Sequence, residues 1–271
     1  MRSSKRPPAE PRPVPRLPAL YLTPDWPAPP GVQALTTVRR GGVSEAPFKS
    51  LNFGPAVGDA PAALAENRRR LAEAAGLPAE PQWLRQVHGT VVADLDAATR
   101  PEEADAAVTR RAGVVCALLT ADCLPVLFAR RDGSAVGAAH AGWRGLAAGV
   151  LERTAQALIR PGEPADALLA WMGPAISPAH FEVGEEVRAA FVAAPGVDRR
   201  AAEGAFVRND RGRWQCDLYA LARLRLEHLG MSQIFGEEHC TFAETARFFS
   251  HRRDAWRTGR MATLIWRTVI L

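Results

Sequence analysis

The chain lacks the features that would take it out of the ordinary globular class. Its four cysteines stand singly at 116, 123, 216 and 240, so neither a C-x-x-C zinc ribbon nor a dense disulfide framework is encoded. No stretch approaches 18 consecutive apolar residues, which excludes a membrane-spanning helix and a membrane partner. No signal peptide is recognisable, and with single thiols the expected compartment is a reducing cytoplasm. Internal repeats are absent, and no linker divides residues 31–271, which are expected to form one domain. A basic face is missing too. The net charge is +5, but four of those charges come from residues 1–20, where Arg2, Lys5, Arg6, Arg12 and Arg16 oppose Glu10 alone. Nucleic acid is therefore not an expected partner. That segment is also rich in proline, and residues 1–30 are expected to form a disordered or extended tail.

What is present is 47% hydrophobic residues in 271, enough for a sizeable core. Residues 36–44 read as a strand ending in a glycine turn, and 51–54 as a short extended piece. A helix is expected over 61–75, with Pro61 in its first turn and Gly76 closing it. Mostly apolar segments near 83–95, 104–108, 113–119, 124–129 and 135–140 alternate poorly, as strands buried on both faces do. The spacing predicts one helix over 145–159, a strand at 167–172, a helix at 185–193 and a strand at 261–266. A further helix over 218–229 is expected, capped by Asp217 and closed by Gly230.

Chemistry concentrates where the strand-like runs end. Thr120-Ala-Asp-Cys-Leu-Pro125 follows one run, and Ala139-His-Ala-Gly-Trp-Arg-Gly145 ends the next but one. Upstream, Gln86-Val-His-Gly89 supplies another imidazole before glycine. His88, Cys123 and His140 make a two-His, one-Cys donor set of the kind that holds catalytic zinc with a fourth position open. A buried cysteine is also an ordinary small hydrophobe, and residue types alone leave both readings open. The glycines beside the two histidines are read as leaving backbone open for a substrate's approach. Arg39 before Gly41-Gly42, and Arg144 between Gly142 and Gly145, suit bidentate binding of phosphate or carboxylate. Asn52 is a candidate for sugar or base contact, and Asp122 for general acid/base work or for orienting an imidazole. His251 is a candidate pocket residue, whereas His180, His228 and His239 are expected to be solvated.

Several ordered motifs make the resemblance specific. These are Arg39-x-Gly-Gly-Val-Ser44, Ser50-Leu-Asn-Phe-Gly54, Gln86-Val-His-Gly89, Thr120-Ala-Asp-Cys-Leu-Pro-Val126 and Ala139-His-Ala-Gly-Trp-Arg-Gly145. Gly173-Pro-Ala-Ile176, Phe181-Glu-Val-Gly184, Cys240-Thr241, Phe249-Ser-His-Arg-Arg253 and Gly259-Arg-Met-Ala262 follow. From about residue 34 onward the chain closely resembles the bacterial laccase-domain family, also called multicopper polyphenol oxidase-like and described as purine nucleoside phosphorylases. The resemblance implies an α+β fold of mixed β-sheets with flanking helices, remotely like cysteine deamidase-type folds. It implies zinc held by the positions matching His88, Cys123 and His140. It implies phosphorolysis of adenosine, inosine, guanosine and methylthioadenosine, with adenosine deamination as a second activity, so a purine nucleoside and phosphate are the expected partners. Val38 departs from the family's usual threonine, His251 stands where an aromatic is frequent, and Cys216 matches no family position.

Two other activities use the same residues. A copper-dependent polyphenol oxidase is suggested by the family's older name, and Cu²⁺ outcompetes Zn²⁺ at many N/S sites. Six histidines without one His-x-His fall short of a blue-copper site plus a trinuclear cluster. A metal-free cysteine hydrolase would take Cys123 as nucleophile and His140 as base.

Overall fold

The computed structural model describes residues 20–194, 197–255 and 257–269. The tail expected over residues 1–19 lies outside them. Residues 20–30, assigned to the same tail, instead contribute β1 (Tyr21–Leu22), antiparallel to β2 (Val32–Thr37).

The protein is α+β, with mixed sheets and few helices. A five-stranded sheet runs β1–β2–β14–β6–β3, where β14 is Met261–Arg267, β6 is Val115–Thr120 and β3 is Gln82–Trp83. A six-stranded sheet runs β13–β9–β7–β8–β5–β4. Its strands are Ile234–Gly236, Leu168–Met172, Leu124–Arg130, Val136–Ala141, Ala106–Thr109 and Val92–Asp94 in that order. The two sheets stack on each other. Because side chains alternate along a strand, Cys116 and Leu118 of β6 and Ile265 of β14 meet Leu127 and Ala129 of β7 in the space between. The opposite face of β6 and β14, with Val115, Ala117 and Leu264, packs on Leu71 of α1 (Pro61–Ala75). The opposite face of β7, with Val126 and Phe128, packs on α3 (Val150–Leu158) and α6 (Leu218–His228). Both sheets are thus covered on both sides, which is why their strands read as apolar runs. A small sheet of β10 (Glu182–Val183), β12 (Trp214–Cys216) and β11 (Phe206–Arg208), with α4 (Glu185–Val192) and α5 (Arg199–Gly204), closes one side.

Local signals place α1 and α6 as expected. Gly76 takes φ +58° after α1, and the Asp217 carboxylate accepts from the Ala220 amide at the start of α6. The helix expected over 145–159 is two. Gly149 takes φ +98° and separates α2 (Trp143–Ala148) from α3. The strand expected near 83–95 is also two pieces, β3 and β4, in different sheets, with a loop between them. Among the described residues no helix is long and apolar enough to cross a membrane.

Candidate metal centre

The donor set forms where the chain passes from one sheet to the other. The loop from β3 to β4 carries His88, the turn from β6 to β7 carries Cys123, and β8 carries His140 near its end. His88 and Cys123 therefore lie in sheet-to-sheet crossings. Their potential ligand atoms lie within 4.8 Å of one another, and no other group of three or more His, Cys, Asp or Glu among the described residues could hold a metal in this way. Cys123 Sγ is 3.9 Å from His88 Nε2, and the two imidazole rings meet edge to face at 4.8 Å between centroids. Two residues here hold positive φ without being glycine, His88 at 62° and Asp122 at 85°. Such backbone persists where surrounding contacts over-determine it.

Those contacts are specific. The Gln86 side chain pairs with the edge of β6, donating to the Leu119 carbonyl at 2.9 Å and accepting from its amide at 2.8 Å. Asp105, fully buried just before β5, stands outside every motif that carries the resemblance. Its Oδ1 accepts from the His88 amide at 2.9 Å and lies 2.8 Å from His140 Nδ1. Its Oδ2 accepts from the amides of Val87 at 3.1 Å and Gly89 at 2.6 Å. Only a carboxylate near a histidine-bearing strand could have signalled it, and Asp105 two residues after Glu103 looks like any surface acid in sequence.

The electrostatics couple the donors. Burial opposes charge on the Cys123 thiol, but His140, through charge and hydrogen bonding, and His88 outweigh it and lower the thiol to about 6. Burial likewise opposes charge on His140, while Cys123 and Asp105 raise it to about 9. Burial pushes the Asp105 carboxyl up, yet the bonds from His140 and the Gly89 and Val87 amides hold it below its ordinary range.

Gly142 and Gly145 serve close packing here rather than substrate approach. A Cβ on Gly142 would sit 2.8 Å from His88 Cδ2 and 3.1 Å from Cys123 Sγ, and one on Gly145 would meet the Gly89 carbonyl at 2.7 Å. Asp122 is held by partners on another segment of the chain. Its oxygens accept from Thr241 Oγ1 at 2.6 Å, Ser250 Oγ at 3.0 Å and the Arg252 amide at 2.7 Å, so it anchors the segment that walls the cleft. Asn52 is fully buried, with Oδ1 accepting from the Gly54 and Arg260 amides and Nδ2 donating to the Asp59 carboxylate, so its polar atoms are engaged within the fold. Arg39 lies over the Phe249 ring at 4.7 Å and donates to the carbonyls of Lys49 and Thr245. It lines a separate depression with Asp254 and Arg257, and is therefore no part of this cleft.

Two compartments flank the donors. One, of about 230 Å³, is lined by His88, Cys123, Trp143, Arg144, His251 and Arg252. The other, of about 560 Å³, is lined by Trp83, Leu84, Leu119, His140, His251 and Arg260, among others. Arg144 is exposed, stacks on Trp143 at 4.3 Å and has no ion-pair partner among the described residues. Arg260 has none either. Burial lowers its pKa, while Cys123 and Asp122 favour its charge. In sequence, the Gly259-Arg260 motif gives no local sign of a role for the arginine.

Two neutral-capable imidazole nitrogens, one thiolate and a carboxylate behind one histidine match the donor chemistry of zinc. Known proteins resemble this chain along most of its length. Residues 33–268 match the family described as multi-copper polyphenol oxidoreductase laccase. A purine nucleoside phosphorylase of Pseudomonas aeruginosa is 54% identical over 247 residues, 91% of this chain and 98% of that protein. Purine nucleoside phosphorylase YfiH of Escherichia coli is 50% identical over 246 residues, 90% and 98% of the two chains. The crystal structure of a Neisseria meningitidis protein superposes with a TM-score of 0.83 at 47% identity, covering 92% of this chain and 100% of that one.

Proposed function

The chain belongs to the multi-copper polyphenol oxidoreductase laccase family, and from that premise we propose that it is a zinc-dependent purine nucleoside phosphorylase. The observation that carries the reading is one metal-competent set, His88, Cys123 and His140, at the junction of two compartments, one lined by Arg144 and the other by Arg260. His88, Cys123 and His140 hold the ion, which when bound supplies Lewis-acid polarisation of a substrate atom. Arg144, with Arg252 lining the same compartment, binds phosphate by charge-assisted hydrogen bonds. The larger compartment takes the purine against Trp83, Leu84 and Leu119, and Arg260 places positive charge where the departing base gains electron density. Adenosine, inosine, guanosine and methylthioadenosine are the proposed substrates, and adenosine deamination is the proposed second activity of the same cleft. The proposed compartment is the cytoplasm, in keeping with four free cysteines.

Metal analysis of protein purified without added metal, followed by a nucleoside panel with and without phosphate, tests this. The expected result is about one zinc per chain and base release that requires phosphate. Base release indifferent to phosphate would overturn the phosphorylase reading. A second reading, a metal-free cysteine hydrolase, is favoured by the thiolate–imidazolium coupling of Cys123 and His140. It requires a covalent adduct on Cys123 that intact-protein mass spectrometry would detect.

A further inference from the structure

The Asp105 carboxylate divides its two oxygens between two tasks that both bear on the donor set. Oδ1 faces His140 Nδ1 at 2.8 Å. With that nitrogen carrying the proton, Nε2 is left as the lone-pair donor, which is the tautomer a metal needs. Oδ2 binds only the loop, through the Val87 and Gly89 amides, while Oδ1 adds the His88 amide. Three consecutive amides converging on one buried carboxylate fix the loop in which His88 sits at φ +62°. A third link is backbone: the His140 amide donates to the Asp105 carbonyl at 2.7 Å, which locks β8 against the residue carrying the carboxylate. One side chain thus sets the tautomer of one histidine and the position of the other.

We propose that Asp105 is the positioning residue of the metal centre, holding His88 and His140 in ligand geometry through one carboxylate. The inference rests on the metal reading of the site and is independent of which nucleoside is turned over.

The substitution Asp105→Asn exposes the division of labour. Its single amide oxygen can replace either carboxylate oxygen but not both. With that oxygen toward His140, an NH₂ group faces the Val87 and Gly89 amides and the loop loses its acceptor. With it toward the loop, an NH₂ faces His140 Nδ1 and favours the tautomer whose proton sits on Nε2, the ligand atom. Either orientation costs a ligand.

The test is zinc affinity by competition with a chromophoric chelator, comparing wild type, Asp105→Asn and Asp96→Asn. Asp96 is a matched control, because its carboxylate accepts from Thr109 Oγ1 at 2.6 Å and the Arg110 amide at 2.7 Å at the far end of β5, away from the donors. Asp105→Asn is expected to weaken zinc by about 10- to 100-fold, the usual effect of removing a partner behind a ligating histidine. Asp96→Asn is expected to leave affinity unchanged even where it lowers thermal stability. Zinc affinity in Asp105→Asn within about twofold of wild type, or an equal loss in Asp96→Asn, overturns the proposal. If Asp105→Asn does not fold, the wild-type protein decides. Nitrogen-15 spectra of the zinc-loaded protein should show His140 protonated at Nδ1, and hydrogen exchange should show the amides of 87–89 protected. The opposite tautomer, or rapid exchange at all three amides, overturns it. Wild-type protein that binds zinc but turns over no nucleoside would count against the phosphorylase reading and not against this one.

Discussion

Cys123 and His140 exchange ownership of one proton on folding. In the metal-free protein the thiol is lowered to about 6 and the imidazole raised to about 9, against ordinary values of 9.0 and 6.5. Taken alone, the lowered thiol contributes stability above its ordinary pKa that is lost as pH falls through about 6. The raised imidazole contributes stability below its ordinary pKa that is lost as pH rises through about 9. Between 6.5 and 9 the folded pair keeps its proton on nitrogen and the unfolded pair keeps it on sulfur, so the proton count is equal and the slopes cancel. Urea unfolding of metal-stripped protein across that window should therefore show no pH dependence from this pair. Iodoacetamide labelling of Cys123, read by peptide mass spectrometry, should instead rise with a midpoint near 6. A midpoint near the ordinary thiol value would refute the coupling. Burial raises the Cys116 and Cys216 thiols, so neither should label in the native state. Arg144 gives a second test at this scale. Arg144→Lys should raise the KM for phosphate roughly tenfold or more, because a point charge does not reproduce a bidentate fork. Phosphate dependence equal to wild type would remove Arg144 from the phosphate site.

Glycine separates site effects from fold effects at the scale of elements. Gly142 has φ −63° and ψ 153°, which alanine adopts freely, so the Gly142→Ala penalty comes from pressing on the His88 ring and the Cys123 sulfur. Zinc content should fall while the unfolding midpoint moves little. Gly149→Ala should do the reverse. Its φ of +98° strains any L side chain, while the nearest atoms lie at 3.4 Å or more, so it should cost about 1–2 kcal/mol in urea unfolding and leave zinc in place. The same elements mark what the sequence made legible. Local stop and cap signals, Pro61, Gly76, Asp217 and Gly230, placed α1 and α6 well. Gly149 carried the break between α2 and α3, but glycine inside an apolar helical period does not declare its φ. The three-residue strands β11, β12 and β13 are too short to show a period. The donors were legible because His88, Cys123 and His140 stand in long motifs. Asp122, Asn52 and Arg39 stand in such motifs too, and only three-dimensional partners reveal that the first two are spent on backbone, hydroxyl and carboxylate groups of the fold. Asp105 and Arg260 gain their place from contacts across 35 and 208 residues of chain, to His140 and to Asn52, which no local pattern encodes.

The whole molecule places one donor set between two compartments, so the proposed activities stand or fall together. Stripping zinc with a strong chelator should abolish phosphorolysis and adenosine deamination in parallel, and restoring one equivalent should recover both. Full phosphorolysis by the zinc-free protein would reduce the ion to a structural part. Zinc affinity should also climb about tenfold per pH unit between 6 and 9, since binding must displace the proton held by His140. A pH-independent affinity over that range would contradict the imidazolium assignment.

The position of β14 also sets an order in time. It lies between β2 and β6, and its residues, 261–267, come off the ribosome after every other described strand. Until then β2 and β6 have no common partner, and the five-stranded sheet has to wait. The strands β4, β5, β7 and β8, by contrast, are all synthesised by residue 141, and with them His88, Asp105 and His140. Cys123 is translated in the same stretch, but the turn that aims it is tied through Asp122 to Thr241, Ser250 and Arg252, which arrive much later. A nascent chain therefore has two histidines ready before the sulfur is fixed. A metal ion offered during synthesis would meet a half-built clasp, which the segment from Thr241 to Arg252 then shuts.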